Sequence, residues 1–69
     1  MWIECDALIN TDKFEAIKVI RDDYGYAIVG FNKRQHFFIL RHQDLERVLD
    51  DFEHIKRCLK AGEKVCFIA

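Results

Sequence analysis

Residues 44–62 read DLERVLDDFEHIKRCLKAG, a helix with both of its ends written in. Helical residues lie about 100° apart, which gathers Leu45, Val48, Leu49, Phe52, Ile55 and Leu59 into an arc of roughly 120°, the width of a face buried on one side. Asp44 is placed to accept from a free N–H of the first turn, and Gly62 to take the left-handed conformation that stops a helix. Asp44 and Glu46 stand at the start and Lys56, Arg57 and Lys60 near the end, the order the helix dipole favours. Arg47 with Asp51, and Glu53 with Arg57, have i,i+4 spacing, worth about 0.2–0.5 kcal/mol per pair. These charges outline a solvated face, and His54, opposite the apolar arc, is expected on it.

Such a helix needs a sheet to lie on, and the flanking sequence supplies strands. Residues 2–5 and 7–9 read as short strands, followed by the turn chemistry of Asn10, Thr11, Asp12 and Lys13. Residues 14–21 are rich in β-branched side chains, and Asp22, Asp23, Tyr24 and Gly25 make a turn with Gly25 free to take positive φ. Residues 26–31 (YAIVGF) and 36–42 (HFFILRH) form a hairpin about a turn at 32–35, with large apolar side chains on both faces. Residues 64–68 are a last strand. The reading is one α+β domain spanning 1–69: a four- to five-stranded, mainly antiparallel sheet with one helix, about 44–61, on one face and a short C-terminal strand. Its expected core is Ile28, Ile39, Leu49, Phe52, Ile55 and Phe67.

The order of elements, with Trp2 near the start, Leu8-Ile9-Asn10 and Asp12 ahead of Ile17, Ile39-Leu40 before the helix and Ala61-Gly62-Glu63-Lys64 after it, resembles small uncharacterised bacterial and phage domains. Thr11, where those domains are usually aliphatic, and a short hairpin turn depart from the pattern. The resemblance implies the fold and brings no established activity.

Composition narrows the chemistry. A chain of 69 residues, 51% hydrophobic and with nine aromatic residues, is compact rather than disordered, and small enough to need nearly all of its apolar surface. No apolar run approaches the length of about 18 that spans a bilayer, and the start lacks the pattern of a signal peptide, so a cytoplasmic location is expected. Cys5, Cys58 and Cys66 form no CxxC and cannot all pair within one chain, which fits buried free thiols in a reducing compartment. There is no serine, and Gly25, Gly30 and Gly62 make neither a dinucleotide fingerprint nor a P-loop. Cys58, at the margin of the apolar arc, has no base identifiable from sequence. His36 and His42 face the same side of one straight strand but lie roughly 20 Å apart there, too far to share an ion. Cys5 and Cys66 become neighbours if the terminal strands pair, yet two thiols alone make a poor metal site. Asp22-Asp23 and Asp50-Asp51 read as solvated pairs rather than acid/base machinery. No catalytic residue, cofactor or metal is therefore assigned, and an enzyme is not expected.

Charge distribution carries the functional hint. Residues 1–23 have a net charge of −3, residues 24–43 carry Lys33, Arg34 and Arg41 with no acid, and the remainder has a net charge of −1. Tyr26, Phe31, Lys33, Arg34, His36, Phe38 and Arg41 are the candidate interaction surface. Aromatics interleaved with cations can stack bases and hold phosphates, but a pI near 6.3 lacks the basic footprint of a nucleic-acid domain. The favoured expectation is an interaction domain that forms a two-fold homodimer through the sheet face the helix leaves uncovered, with room for a larger protein partner and no membrane role. The competing account has strand twist and the N-terminal segment wrapping that face. Single-stranded nucleic-acid binding through residues 24–43 is the alternative function.

Overall fold

The computed structural model of the chain describes residues 1–68. Its elements are β1 (Trp2–Glu4), β2 (Leu8–Asn10), a 3-10 turn (Thr11–Lys13), β3 (Ala16–Asp22), β4 (Gly25–Phe31), β5 (His36–His42), α1 (Leu45–Lys60) and β6 (Val65–Phe67). The fold class is α+β, with the strands divided between two three-stranded sheets rather than joined in one. The larger, β3-β4-β5, is antiparallel throughout. The smaller, β2-β1-β6, pairs β1 antiparallel to β2 and parallel to β6, so the N-terminal segment builds its own sheet with the C-terminal strand. Helix α1 packs against both.

Both ends of α1 are as the sequence implies. The Asp44 side chain accepts from the Glu46 N–H at 3.0 Å. At the other end Gly62 has φ of 71°, and the Glu63 N–H reaches back to the Cys58 carbonyl at 3.0 Å, a closure in which only a residue tolerating positive φ is comfortable. Gly25 also has positive φ, in the β3-β4 turn.

The face that α1 buries differs from the expected arc. Val48 and Ile55 are buried, but Leu45, Leu49 and Leu59 are 39%, 43% and 46% exposed. The helix is rolled by roughly 60° from the centre of its apolar arc, toward Asp51 and Cys58. Of the expected core, Ile28, Ile39 and Ile55 are buried and Phe52 is half-buried; Leu49 is exposed, and Phe67 at 65% exposure points outward from β6. Because β6 alternates and Cys66 faces inward, Phe67 has no route into the core. The expected charge pairs are not the ones formed: Asp51 bonds His42 rather than Arg47, as the roll allows, and Glu53 pairs with Lys56 one turn on rather than with Arg57. Core side chains come from both sheets and the helix: Ile3, Cys66 and Ile68, Ile28 and Ile39, Val48 and Ile55.

One irregularity sets which side chains face α1. Opposite Ile28 and Val29, β5 offers Leu40 and Phe38, so Ile39 is an extra residue in the ladder. Such a bulge reverses the parity of everything beyond it. His42, Leu40, Ile28 and Tyr26 share the helix side, whereas His36, Phe38, Arg41, Phe31, Val29 and Ala27 share the other. His36 and His42, expected on one side of a straight strand, therefore face opposite ways.

Candidate functional site

The face of β3-β4-β5 turned away from the helix collects Lys18 and Ile20 from β3, Ala27, Val29 and Phe31 from β4, and His36, Phe38 and Arg41 from β5. Four of the seven candidate surface residues thus meet there: Phe31, His36, Phe38 and Arg41. Tyr26 does not; it is half-buried on the helix side, packed on the core. Lys33 and Arg34 lie at the hairpin tip, where the Asn32 side chain accepts from the Arg34 and Gln35 N–H groups. Long side chains fold over the middle of the face. The Arg41 guanidinium lies 4.9 Å from the Phe38 ring centre and 5.5 Å from that of Tyr24, and the Lys18 ammonium lies 5.5 Å from that of Phe31. His36 stands between Phe31 and Phe38, its ring 5.8 Å and 6.2 Å from theirs. Ala27 and Val29 beneath are buried. Arg41 also bonds Asp22, and this guanidinium holds the Asp22 carboxyl below the usual carboxylate range, aided by the Tyr24 N–H. Asp22 is thus paired, not simply solvated.

The outward face of the smaller sheet is different in kind. Trp2 lies opposite Asn10 and Val65, and Glu4 opposite Leu8 and Phe67, so these six side chains share one face. Trp2 is 43%, Leu8 60%, Val65 36% and Phe67 65% exposed. Among the described residues no cation lies over these rings, and Glu4 is the only charged side chain that the pairing places among them.

A third grouping lies along the helix. Asp51, His54 and Cys58, at i, i+3 and i+7, form a stripe that the roll of α1 turns inward. Asp51 Oδ2 is 3.2 Å from His42 Nε2 on β5, so Asp51 is not a solvated acid either. His54 is half-buried, not a surface residue: its Nε2 lies 2.9 Å from the Phe67 carbonyl oxygen on β6. Cys58 Sγ is 3.9 Å from His54 Nε2, and ligand atoms of His54, Cys58 and Cys66 all lie within 4.8 Å of one another. Burial, followed by a hydrogen bond with Cys58 and the negative potential of Cys58, Asp51 and Glu63, pushes the Cys66 thiol up to about 12. The three cysteines are free thiols, and Cys5 stands apart from this group, its Sγ directed at the Ala7 and Ile39 carbonyls. The sequence carries the signal for two of these three residues, since His54 and Cys58 are one helical turn apart. Cys66 joins them only because the closure at Gly62 sends the chain back along the helix.

A recess of about 370 Å³ between α1 and β3 is lined largely by apolar side chains, among them Phe14, Ile17, Phe52 and Leu59. Its polar lining comes from Thr11, Asp12, Glu15 and Lys56. No helix among the described residues is long and apolar enough to cross a membrane. No protein-family model, curated protein or solved structure matches the chain.

Proposed function

We propose that the protein is a non-enzymatic interaction domain that associates with a second copy of itself through the outward face of β2-β1-β6. The observation that carries this reading is the clustering of Trp2, Leu8, Val65 and Phe67 on one sheet face, all substantially exposed. Together they present on the order of 400 Å² of apolar surface, in the range of the largest patch on a typical monomer. Two copies facing one another would remove about twice that from these side chains alone. With the surrounding rim this approaches the lower end of the roughly 1,200–2,000 Å² that stable interfaces bury. Self-pairing about a two-fold axis matches an apolar patch to an apolar patch with no second surface required. Face-to-face packing also places Glu4 of each copy near the contact, which favours an offset that lets each carboxylate reach the rim.

The test uses a probe already in place, because Trp2 is the single tryptophan and sits in the patch. Sedimentation equilibrium across a dilution series should show dimer mass giving way to monomer, with Trp2 emission shifting to longer wavelength over the same range. Phe67→Lys should move both transitions to higher concentration. A monomer at every concentration, with emission independent of dilution, would overturn the reading.

A second reading, binding of single-stranded nucleic acid, is favoured by the face of β3-β4-β5 turned away from the helix, where Phe31, His36 and Phe38 lie beside Lys18 and Arg41. Oligonucleotide affinity should then fall steeply with salt, and Lys18→Glu on that face, as well as the pair Lys33→Glu with Arg34→Glu at the adjoining hairpin tip, should weaken it. Binding that is absent at low salt removes this reading.

A further inference from the structure

The chain positions two thiols and an imidazole from two elements within reach of one point. His54 and Cys58 are four apart on α1 and so project from one side of the helix. Cys66 is the central, inward residue of β6 and is buried. The helix closure is what makes them meet: the Glu63 N–H bonds the Cys58 carbonyl, turning the chain so that β6 runs back past the last turns of α1. A hydrogen bond from Trp2 N–H to the Lys64 carbonyl, 2.8 Å, then seats the strand against β1.

We propose that His54, Cys58 and Cys66 bind one zinc ion, which ties the C-terminal half of α1 to β6.

The geometry is close to what the ion needs. Zinc–sulfur and zinc–nitrogen bonds of about 2.3 and 2.0–2.1 Å at tetrahedral angles set donors roughly 3.8 Å apart for two sulfurs and roughly 3.6 Å for sulfur and nitrogen. His54 Nε2 and Cys58 Sγ are 3.9 Å apart, and all three donors lie within 4.8 Å of one another. Side-chain rotations alone can close that difference. Two thiolates and an imidazole are soft to intermediate donors, which selects a thiophilic ion such as zinc over calcium or magnesium, cations that require oxygen ligands. Three protein ligands leave the fourth tetrahedral position to a water or another exogenous ligand.

Binding is an exchange of protons for metal. The Cys58 and Cys66 thiols each release a proton, and each sulfur donates a lone pair to the ion. His54 Nε2 gives up its hydrogen bond to the Phe67 carbonyl and coordinates instead, with the ring proton on Nδ1. Two positive charges enter and two protons leave, so the neutral cluster stays neutral. The gain to the fold follows from its size. With 69 residues and a three-residue β6, the smaller sheet has little burial of its own to hold it, and a metal is one of the few staples available to such a domain.

The test is titration of the fully reduced protein with Co²⁺, followed by displacement with Zn²⁺. One equivalent of Co²⁺ should produce thiolate-to-metal charge-transfer absorption together with the visible bands of tetrahedral cobalt, and one equivalent of Zn²⁺ should abolish both. Zn²⁺ should also raise the thermal midpoint. Cys58→Ala and His54→Gln should each weaken Co²⁺ binding by more than about 100-fold, beyond the loss usual for outer-shell changes. Cys5→Ser, whose thiol lies outside the cluster, should leave the titration unchanged. Circular dichroism of each variant establishes that it is folded before titration. Because Cys66 is buried and its replacement puts the fold itself at risk, the half-buried Cys58 and His54 carry the test. Absence of charge-transfer absorption at stoichiometric cobalt would overturn the proposal. So would a signal that survives Cys58→Ala, or one lost in Cys5→Ser. The Phe67→Lys variant should bind the ion at unchanged stoichiometry if the site is independent of self-association; a site lost with the dimer would equally overturn the assignment to these three residues within one chain.

Discussion

Replacing Ile55 with alanine removes three carbons from a side chain that is 1% exposed, at the point where α1 meets both sheets. At about 0.8 kcal/mol per buried methylene the transfer loss is about 2.4 kcal/mol, and the cavity left behind brings the expected cost to about 3–4 kcal/mol. Leu49→Ala deletes the same number of carbons from a side chain already 43% exposed. Its transfer loss is about half as large and no closed cavity forms, so the expected cost is about 1 kcal/mol. The difference of about 2 kcal/mol corresponds to a separation of the two thermal midpoints by about 8–16 °C in a domain this small. Total stability is expected to be about 3–10 kcal/mol, so Ile55→Ala risks unfolding; Ile55→Val, expected to cost about 1 kcal/mol for one methylene where Leu49→Ala costs about the same for three carbons, keeps the comparison measurable per carbon removed. Urea denaturation followed by far-ultraviolet circular dichroism, at one dilute concentration for all variants, gives the values. Leu49→Ala proving as costly as Ile55→Ala would refute the roll of the helix, and with it the inward placement of His54 and Cys58.

Two further outcomes follow from close contacts. A methyl group at Gly30 would stand 2.5 Å from the Phe14 ring, which is itself set against Phe37 with ring centres 5.8 Å apart, so Gly30→Ala should cost about 1–3 kcal/mol. Adding Phe14→Leu should recover part of that loss, a non-additivity that a double-mutant cycle in urea measures. The hydrogen bond from Arg41 lowers the Asp22 pKa below its ordinary 3.8, so the stability this pair contributes is present above that value and is lost as pH falls through the lowered folded-state pKa. NMR titration should find Asp22 ionising below the ordinary aspartate value, and Arg41→Gln should move it back toward that value.

What the sequence by itself determined was local. The ends of α1, the β4-β5 hairpin with its Asn32-capped turn, and the buried Ile28, Ile39 and Ile55 all follow from capping chemistry, strand propensity and apolar spacing within a few residues. The tertiary structure decided everything that depends on which surface an element meets. An apolar arc says which side chains a helix can bury, but the surface it packs on decides how far it rolls, and here the roll exposes Leu49 and turns His54 inward. The extra residue at Ile39 inverts side-chain parity along β5, which no alternation pattern in a strand apolar on both faces could reveal. The parallel pairing of β1 with β6 joins the two ends of the chain, leaving Phe67 outside and Cys66 inside. The thiol and imidazole cluster therefore exists only in three dimensions: one turn of helix sets two of its members, and a chain reversal at Gly62 followed by a long-range strand pairing supplies the third.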